Sequence, residues 1–167
     1  PRWRNNIDYR KSYSAKKQFG GGVLLDLSHE LDYVQWLFGK INIEHCKSKK
    51  LSNLNIQTDD FLNLVGKTKR ASSIQITLSY FTRHPVREIL VDGKNISLKA
   101  DLINKNVICC EGNKTRIYHF NNSNRNNEYR NQHIAILKKK TNNKLCTFKE
   151  GKQLVYLINQ IKSKSGK

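Results

Sequence analysis

The 167-residue sequence has no methionine, no CxxC pair, and only 13 acidic residues against 31 lysines and arginines. It also lacks an apolar run of the roughly 20 residues that a membrane-spanning helix requires. No charged-then-apolar signal segment opens it. These shortages exclude a membrane span and favour a cytoplasmic location. Because the chain starts at Pro1 and has no methionine, it is expected to be a fragment, an engineered piece or a processed product. The four cysteines, Cys46, Cys109, Cys110 and Cys146, lack metal-ligand spacing. Cys109 and Cys110 are neighbours on an expected strand and point to opposite faces, so reduced thiols are expected. Also missing are a GxSxG elbow, an HExxH helix, a P-loop and a GxGxxG strand–helix unit. His45, His84, His119 and His133 fall on separate elements, so no metal site is expected.

The net charge is +18. Nucleic acid or another anion is one explanation of such an excess, and compositional drift is the other. The positions favour drift. Basic residues are scattered from Arg2 to Lys167, their clusters are short (residues 47–50, 67–70 and 138–140), and no RGG tract or aromatic–basic pattern accompanies them.

The chain is long enough for one domain, residues 1–167, with a core of its own. After a polar, irregular start, Gly20-Gly21-Gly22 leads into an expected helix over residues 23–38, closed by Gly39. At about 100° per residue, Val23, Leu24, Leu27, Leu31, Val34 and Phe38 share one broad face. Leu25, Tyr33 and Trp36 lie on the other side, so cover on both sides is expected. The period then becomes extended. Strands are expected near residues 41–51, 60–65, 73–80, 87–91, 96–100, 106–110 and 115–120, with turns at residues 67–70, 92–93 and 112–113. Ile74, Ile76 and Leu78 alternate on one strand and fit either a core or an interface. A polar loop over residues 121–127 precedes a helix to about Lys140, with Tyr129, Ile134 and Leu137 inward. A last helix starts near residues 148–150 and carries Leu154, Leu157, Ile158 and Ile161. The expected fold is an α+β two-layer domain: one mainly antiparallel, open-faced mixed sheet of about six strands with helices on one side.

His29 lies three residues after Asp26 and three before Asp32, so on a regular helix either carboxylate comes near the imidazole. An imidazole held by a carboxylate suits acid–base work near neutral pH. Glu30 is a further acidic neighbour. A structural hydrogen bond is the plainer reading of such a pair, and the spacing alone leaves both open. Arg10, Lys11, Arg83 and Arg87 could contact an anionic substrate or simply solvate a surface.

The stretch GGGVLLDLSHELDYVQWLFG, from Gly20 to Gly39, strongly resembles the glucose-fructose oxidoreductase / inositol dehydrogenase / MocA family. DYRKSYS at residues 8–14, TDD at 58–60, YFTRHPVR at 80–87, VDG at 91–93 and FKEGKQ at 148–153 resemble further family segments in the right order. The resemblance implies the C-terminal, substrate-side half of a sugar, sugar-derivative or cyclitol dehydrogenase, with NAD or NADP bound by a separate N-terminal Rossmann domain. It implies no cofactor in this chain alone and no turnover by it when isolated. It further implies a small sugar-like substrate and a homo-oligomer formed through the open sheet face. Family members carry Asp-x-x-x-His-x-x-Asp where this chain has Asp26-x-x-His29-x-x-Asp32. The resemblance therefore carries proton transfer to His29 and support to Asp32, and to Asp26 only with a shifted helix start. Tyr9, Arg10, Tyr13, Arg83 and Arg87 are the expected substrate contacts. Two other readings remain: a stand-alone, non-catalytic sugar-binding or oligomerisation module, and a basic nucleic-acid-binding domain.

Overall fold

A computed structural model describes residues 7–120, 125–138 and 145–165. The chain forms two compact units. One takes the chain to Arg83 and again from Cys146, and the other runs from His84 to Leu145.

The first unit opens with three short 3-10 turns, Tyr9–Lys11, Tyr13–Ala15 and Lys17–Phe19. The glycines lead into α1 (Val23–Asp26) and α2 (Ser28–Phe38). The expected single helix is thus broken at Leu27, whose ψ of 23° leaves the helical range. There the Glu30 amide bonds the Leu27 carbonyl in a tight three-residue turn (3.0 Å). Gly39 ends α2, its N–H reaching the Gln35 carbonyl at 2.8 Å.

An antiparallel sheet follows, in the order β1 (Asn42–Lys49), β2 (Phe61–Lys67) and β3 (Ile74–Ser79). Its register puts Ser48, Leu62 and Leu78 in one row and Cys46, Leu64 and Ile76 in the next. Since direct partners share a face, these rows form one side of the sheet. Leu62, Leu64, Ile76, Leu78 and Cys46 are buried there with Val23, Leu24, Leu31 and Ile41. Ile76 and Leu78 are therefore core residues, while Ile74 is half-buried against that core.

The final helix, α4 (Phe148–Ser165), closes this side and packs on β1 and α2. Its residues Leu157, Ile158 and Ile161 are buried at helical spacing, as the sequence pattern predicts, and Leu154 packs partly. Ser165 ties its end to the sheet by accepting from the Ser48 amide at 3.0 Å. Its start is a capping box: Thr147 Oγ1 accepts the Glu150 amide (3.3 Å), and Glu150 Oε2 accepts the Thr147 amide (2.7 Å).

The second unit is a four-stranded antiparallel meander, β4 (Glu88–Asp92), β5 (Ile96–Asp101), β6 (Asn106–Glu111) and β7 (Lys114–His119), followed by α3 (Arg125–Leu137). Gly112, at φ 54°, makes the two-residue turn between β6 and β7. The turn before β6 is held by Asp101, whose Oδ1 accepts the amides of Ile103 and Asn104, both at 2.9 Å.

The α+β class and the antiparallel pairing agree with the sequence reading. Among the described residues the strands number seven and divide into sheets of three and four, rather than forming one mixed sheet of about six. The division falls between Ser79, where β3 ends, and Glu88, where β4 begins; residues 80–87, Pro85 among them, belong to neither strand. In α3 the expected inner residues do not all turn inward. Ile134 is half-buried, but Tyr129 is 53% exposed and Leu137 81% exposed. The asparagines and arginines of α3 leave it without a sustained apolar stripe to hold them. Helix α3 begins at Arg125, inside the expected 121–127 loop, and its expected end at Lys140 lies outside the described residues. Of the residues expected on the second side, Leu25 and Tyr33 are half-buried, while Trp36 on α2 is 62% exposed among the described residues.

Candidate functional site

The glycine run brings three chain segments together. A side chain at Gly21 would place its Cβ 2.4 Å from the carbonyl oxygens of Tyr13 and Ser14. One at Gly22 would come within 2.1 Å of Asp59 Oδ1. Gly22 also has φ 116° and ψ 154°, a region open essentially only to glycine. The missing side chains admit Asp59 to the start of α1. Its carboxylate accepts from the Leu24 amide at 3.0 Å, and its carbonyl accepts from the Val23 amide at 3.0 Å. Ser48 Oγ donates to the same carboxylate at 3.2 Å. The negative charge that a helix start favours is thus supplied by the chain itself.

This arrangement does not fit a dinucleotide. The amides that would cradle a pyrophosphate are taken by Asp59, and every strand pairing among the described residues is antiparallel, with no βαβ unit. No group of His, Cys, Asp or Glu among the described residues could hold a metal.

Asp26 closes α1 and faces inward. It accepts from Ser14 Oγ and, at 2.6 Å, from the Tyr80 hydroxyl. Tyr80 is buried at 3% exposure. Burial pushes its phenol well above the ordinary value of 10, and the hydrogen bond to Asp26 and the charges of Asp26 and Asp59 add to the effect. Asp26 therefore anchors the end of α1 to the second 3-10 turn and to the residue that follows β3.

His29 stands at the first turn of α2 and is exposed. Its Nε2 lies 3.0 Å from Glu30 Oε1, so the imidazole meets Glu30 instead of Asp26 or Asp32. For Asp26 the physical reason is the break at Leu27: across it the 100° rotation per residue no longer applies, and Asp26 leaves the face that carries His29. Asp32 shares the unbroken α2 with His29, and the imidazole pairs with Glu30 all the same. Glu30 is itself buried at 8% exposure and accepts from the Tyr33 hydroxyl at its other oxygen. A carboxylate oriented by a phenol thus holds an imidazole that faces solvent. Asp32 is half-buried, and its charge, after burial itself and ahead of Glu150, helps push the Cys146 thiol up.

The expected substrate contacts are dispersed. The Arg10 guanidinium is bound by Asp8, with Nε to Oδ1 at 2.8 Å and Nη2 to Oδ2 at 3.0 Å. That pairing holds the Asp8 carboxyl below its ordinary range. The Tyr9 hydroxyl accepts the Asn55 amide at 3.2 Å, and Tyr13 is exposed. Arg83 ends one compact unit and Arg87 belongs to the other; both are exposed. Ser14 and Tyr80 lie 12 and 54 residues from Asp26, so no local spacing announces them. Tyr33 is signalled only by its i+3 relation to Glu30.

Comparison with solved structures shows which fold this is. The WlbA dehydrogenase from Bordetella pertussis, solved in complex with NADH and UDP-GlcNAcA, is similar at TM-score 0.67 and 17% identity, over 94% of this chain and 47% of that one. UDP-N-acetylglucosamine 3-dehydrogenase GnnA from Acidithiobacillus ferrooxidans is similar at TM-score 0.68 and 14% identity, over 84% of this chain and 46% of that one. An oxidoreductase from Agrobacterium radiobacter, in complex with NAD+, L-tartaric acid and magnesium, is similar at TM-score 0.74 and 13% identity, over 96% and 51%. The chain thus spans about half the length of these proteins. A comparison with curated proteins found no match. Residues 2–165 match the model of the oxidoreductase family's C-terminal alpha/beta domain, and the chain belongs to that Gfo/Idh/MocA family.

Proposed function

We propose that the chain is the substrate-binding half of an NAD(P)-dependent dehydrogenase acting on a sugar or sugar derivative, with the dinucleotide carried by a separate N-terminal domain. The observation that carries this reading is the pairing of exposed His29 with buried Glu30 on the helix that follows the glycine run. With Nε2 on Glu30, His29 keeps Nδ1 for the proton of a substrate hydroxyl. Glu30 is the positioning residue, and Tyr33 holds Glu30 in turn. Asp26 keeps the end of α1 in place through Ser14 and Tyr80. The substrate class is supported by the UDP-sugar named with two of the structural neighbours. Since the start of α1 is filled by Asp59, the isolated chain is expected neither to hold a dinucleotide tightly nor to turn over substrate.

The test is His29→Ala in the protein that includes the dinucleotide-binding domain, assayed by NAD(P)H formation. General acid–base catalysis contributes about 10²- to 10⁴-fold, and a loss of kcat in that range is expected. Glu30→Gln should lower kcat by a smaller factor while leaving KM nearly unchanged. Untouched turnover in His29→Ala would show that the site is misassigned.

Self-association belongs to the same proposal. In the four-stranded sheet, Leu90, Lys99, Ile108 and Ile117 form one cross-strand row, and Leu90 and Ile117 are 69% and 57% exposed. The opposite face carries Ile89, Ala100, Val107 and Tyr118. No described residue of this unit is fully buried. A sheet with apolar side chains on both faces calls for cover, and a second copy of the chain on the Leu90–Ile117 face supplies it.

A further inference from the structure

A cleft opens on the first unit. Gln35 and Lys40 from the end of α2 and its exit, Ile41 before β1, and α4 from Lys149 to Gln160 line about 370 Å3. Gln35 is about 9 Å along the helix axis from His29, at a rise of 1.5 Å per residue. Buried Ile41 and Leu157 form an apolar floor. Lys40, Lys149, Lys152 and Tyr156 stand around it, and no carboxylate lines it.

Two features bear on these lysines. First, none of the three forms an ion pair among the described residues, a condition they share with most lysines of this basic chain, though not with Lys67 or Lys99. The Lys40 ammonium lies instead 5.9 Å from the centre of the Tyr156 ring. Second, Lys149 and Lys152 occupy the opening turns of an 18-residue helix, the end at which the helix dipole disfavours cations. Glu150, the acidic residue of that turn, has its carboxylate engaged by Thr147. Like charges gathered at the positive end of a helix repel one another, and an anion seated among them relieves that repulsion. The volume lies within the about 300–1,000 Å3 typical of small-molecule sites.

We infer that this cleft binds a phosphorylated small molecule. Its phosphate sits among Lys40, Lys149 and Lys152, and its organic part lies on Tyr156 over Ile41 and Leu157. The glutamine amides at positions 35, 153 and 160 can donate to phosphate or hydroxyl oxygens. The site is separate from the His29 reading and stands or falls independently of it.

The experiment uses this chain, labelled with 15N, and titrates it with inorganic phosphate, phenyl phosphate and a poly-glutamate peptide. The expected result is chemical-shift change concentrated on residues 35–41 and 149–160, with phenyl phosphate binding more tightly than inorganic phosphate. Lys149→Ala with Lys152→Ala should weaken phenyl phosphate binding about tenfold or more, as the loss of charge-assisted contacts implies. Lys67→Ala, remote and ion-paired, should leave it unchanged. An equal loss in Lys67→Ala would overturn the proposal, because binding would then follow net charge alone. Tighter binding of poly-glutamate at the same residues would overturn the small-molecule assignment, and so would an absence of shift changes there in the unsubstituted chain at millimolar phenyl phosphate.

Discussion

Replacing Gly22 by alanine separates backbone strain from steric exclusion, because Gly39 provides a matched control. Both glycines occupy the same glycine-only region, at φ 116°, ψ 154° and φ 94°, ψ −178°. Such a conformation costs a non-glycine residue about 1–3 kcal/mol. An alanine Cβ at Gly39 meets nothing within 4 Å, whereas one at Gly22 meets Asp59 Oδ1 at 2.1 Å. Asp59 must then move, and it loses its bond from the Leu24 amide. Loss of a helix cap costs about 0.5–2 kcal/mol, and a polar group left without its partner about 1–3 kcal/mol. The two describe one lost bond and count once, so Gly22→Ala should destabilise by about 2–6 kcal/mol and Gly39→Ala by about 1–3 kcal/mol. Urea unfolding of the two variants and the parent measures the difference directly. In thermal melts each kcal/mol corresponds to about 2–4 °C for a chain of this size. Equal destabilisation by the two substitutions would refute the reasoning, since strain alone would then account for both.

Three further outcomes follow from the same contacts. Tyr80 has its pKa raised in the folded chain, so its contribution to stability is complete below the unfolded value near 10 and declines as pH rises above it. Alkaline unfolding should be less steep in Tyr80→Phe, and absorbance titration of the folded parent should show one of its seven tyrosines resisting ionisation. Glu150 is shifted the other way, below its ordinary 4.5, by the Thr147 hydroxyl and amide. It stabilises the fold above about pH 4.5 and loses that effect as pH falls through its lowered value; Thr147→Ala should weaken α4 by about 1 kcal/mol at pH 7, and the difference in urea midpoints should shrink in acid. Leu90→Lys should leave the circular dichroism spectrum unchanged and shift sedimentation toward monomer, and an unchanged association constant would reject the Leu90 face as the interface.

Much of the fold was legible because the patterns were periodic. Alternation through Ile74, Ile76 and Leu78 marked a strand without deciding between core and interface, and Leu157, Ile158 and Ile161 marked the buried stripe of α4. The Gly112-Asn113 turn and the stop at Gly39 followed from backbone rules that act within a few residues. The failures have mostly long-range causes. The separation into two sheets depends on which strands pair across the stretch between Ser79 and Glu88, which alternation does not record. The break at Leu27 coincides with long-range anchoring of Asp26 by Ser14 and Tyr80, so helical spacing across residues 26–29 misassigned the partner of His29. The glycine run was legible as the entry to a helix, but the group that approaches it, Asp59, comes from the segment just before β2 and is announced by no local spacing.

The central claim is that this chain works beside a dinucleotide-binding domain. The coding sequence immediately upstream of Pro1 in the source gene tests it most directly. The account predicts a GxGxxG-bearing strand–helix unit followed by a Glu-Lys-Pro-like segment, within about 120 residues as such domains require. A stop codon or an unrelated domain at that place would contradict it.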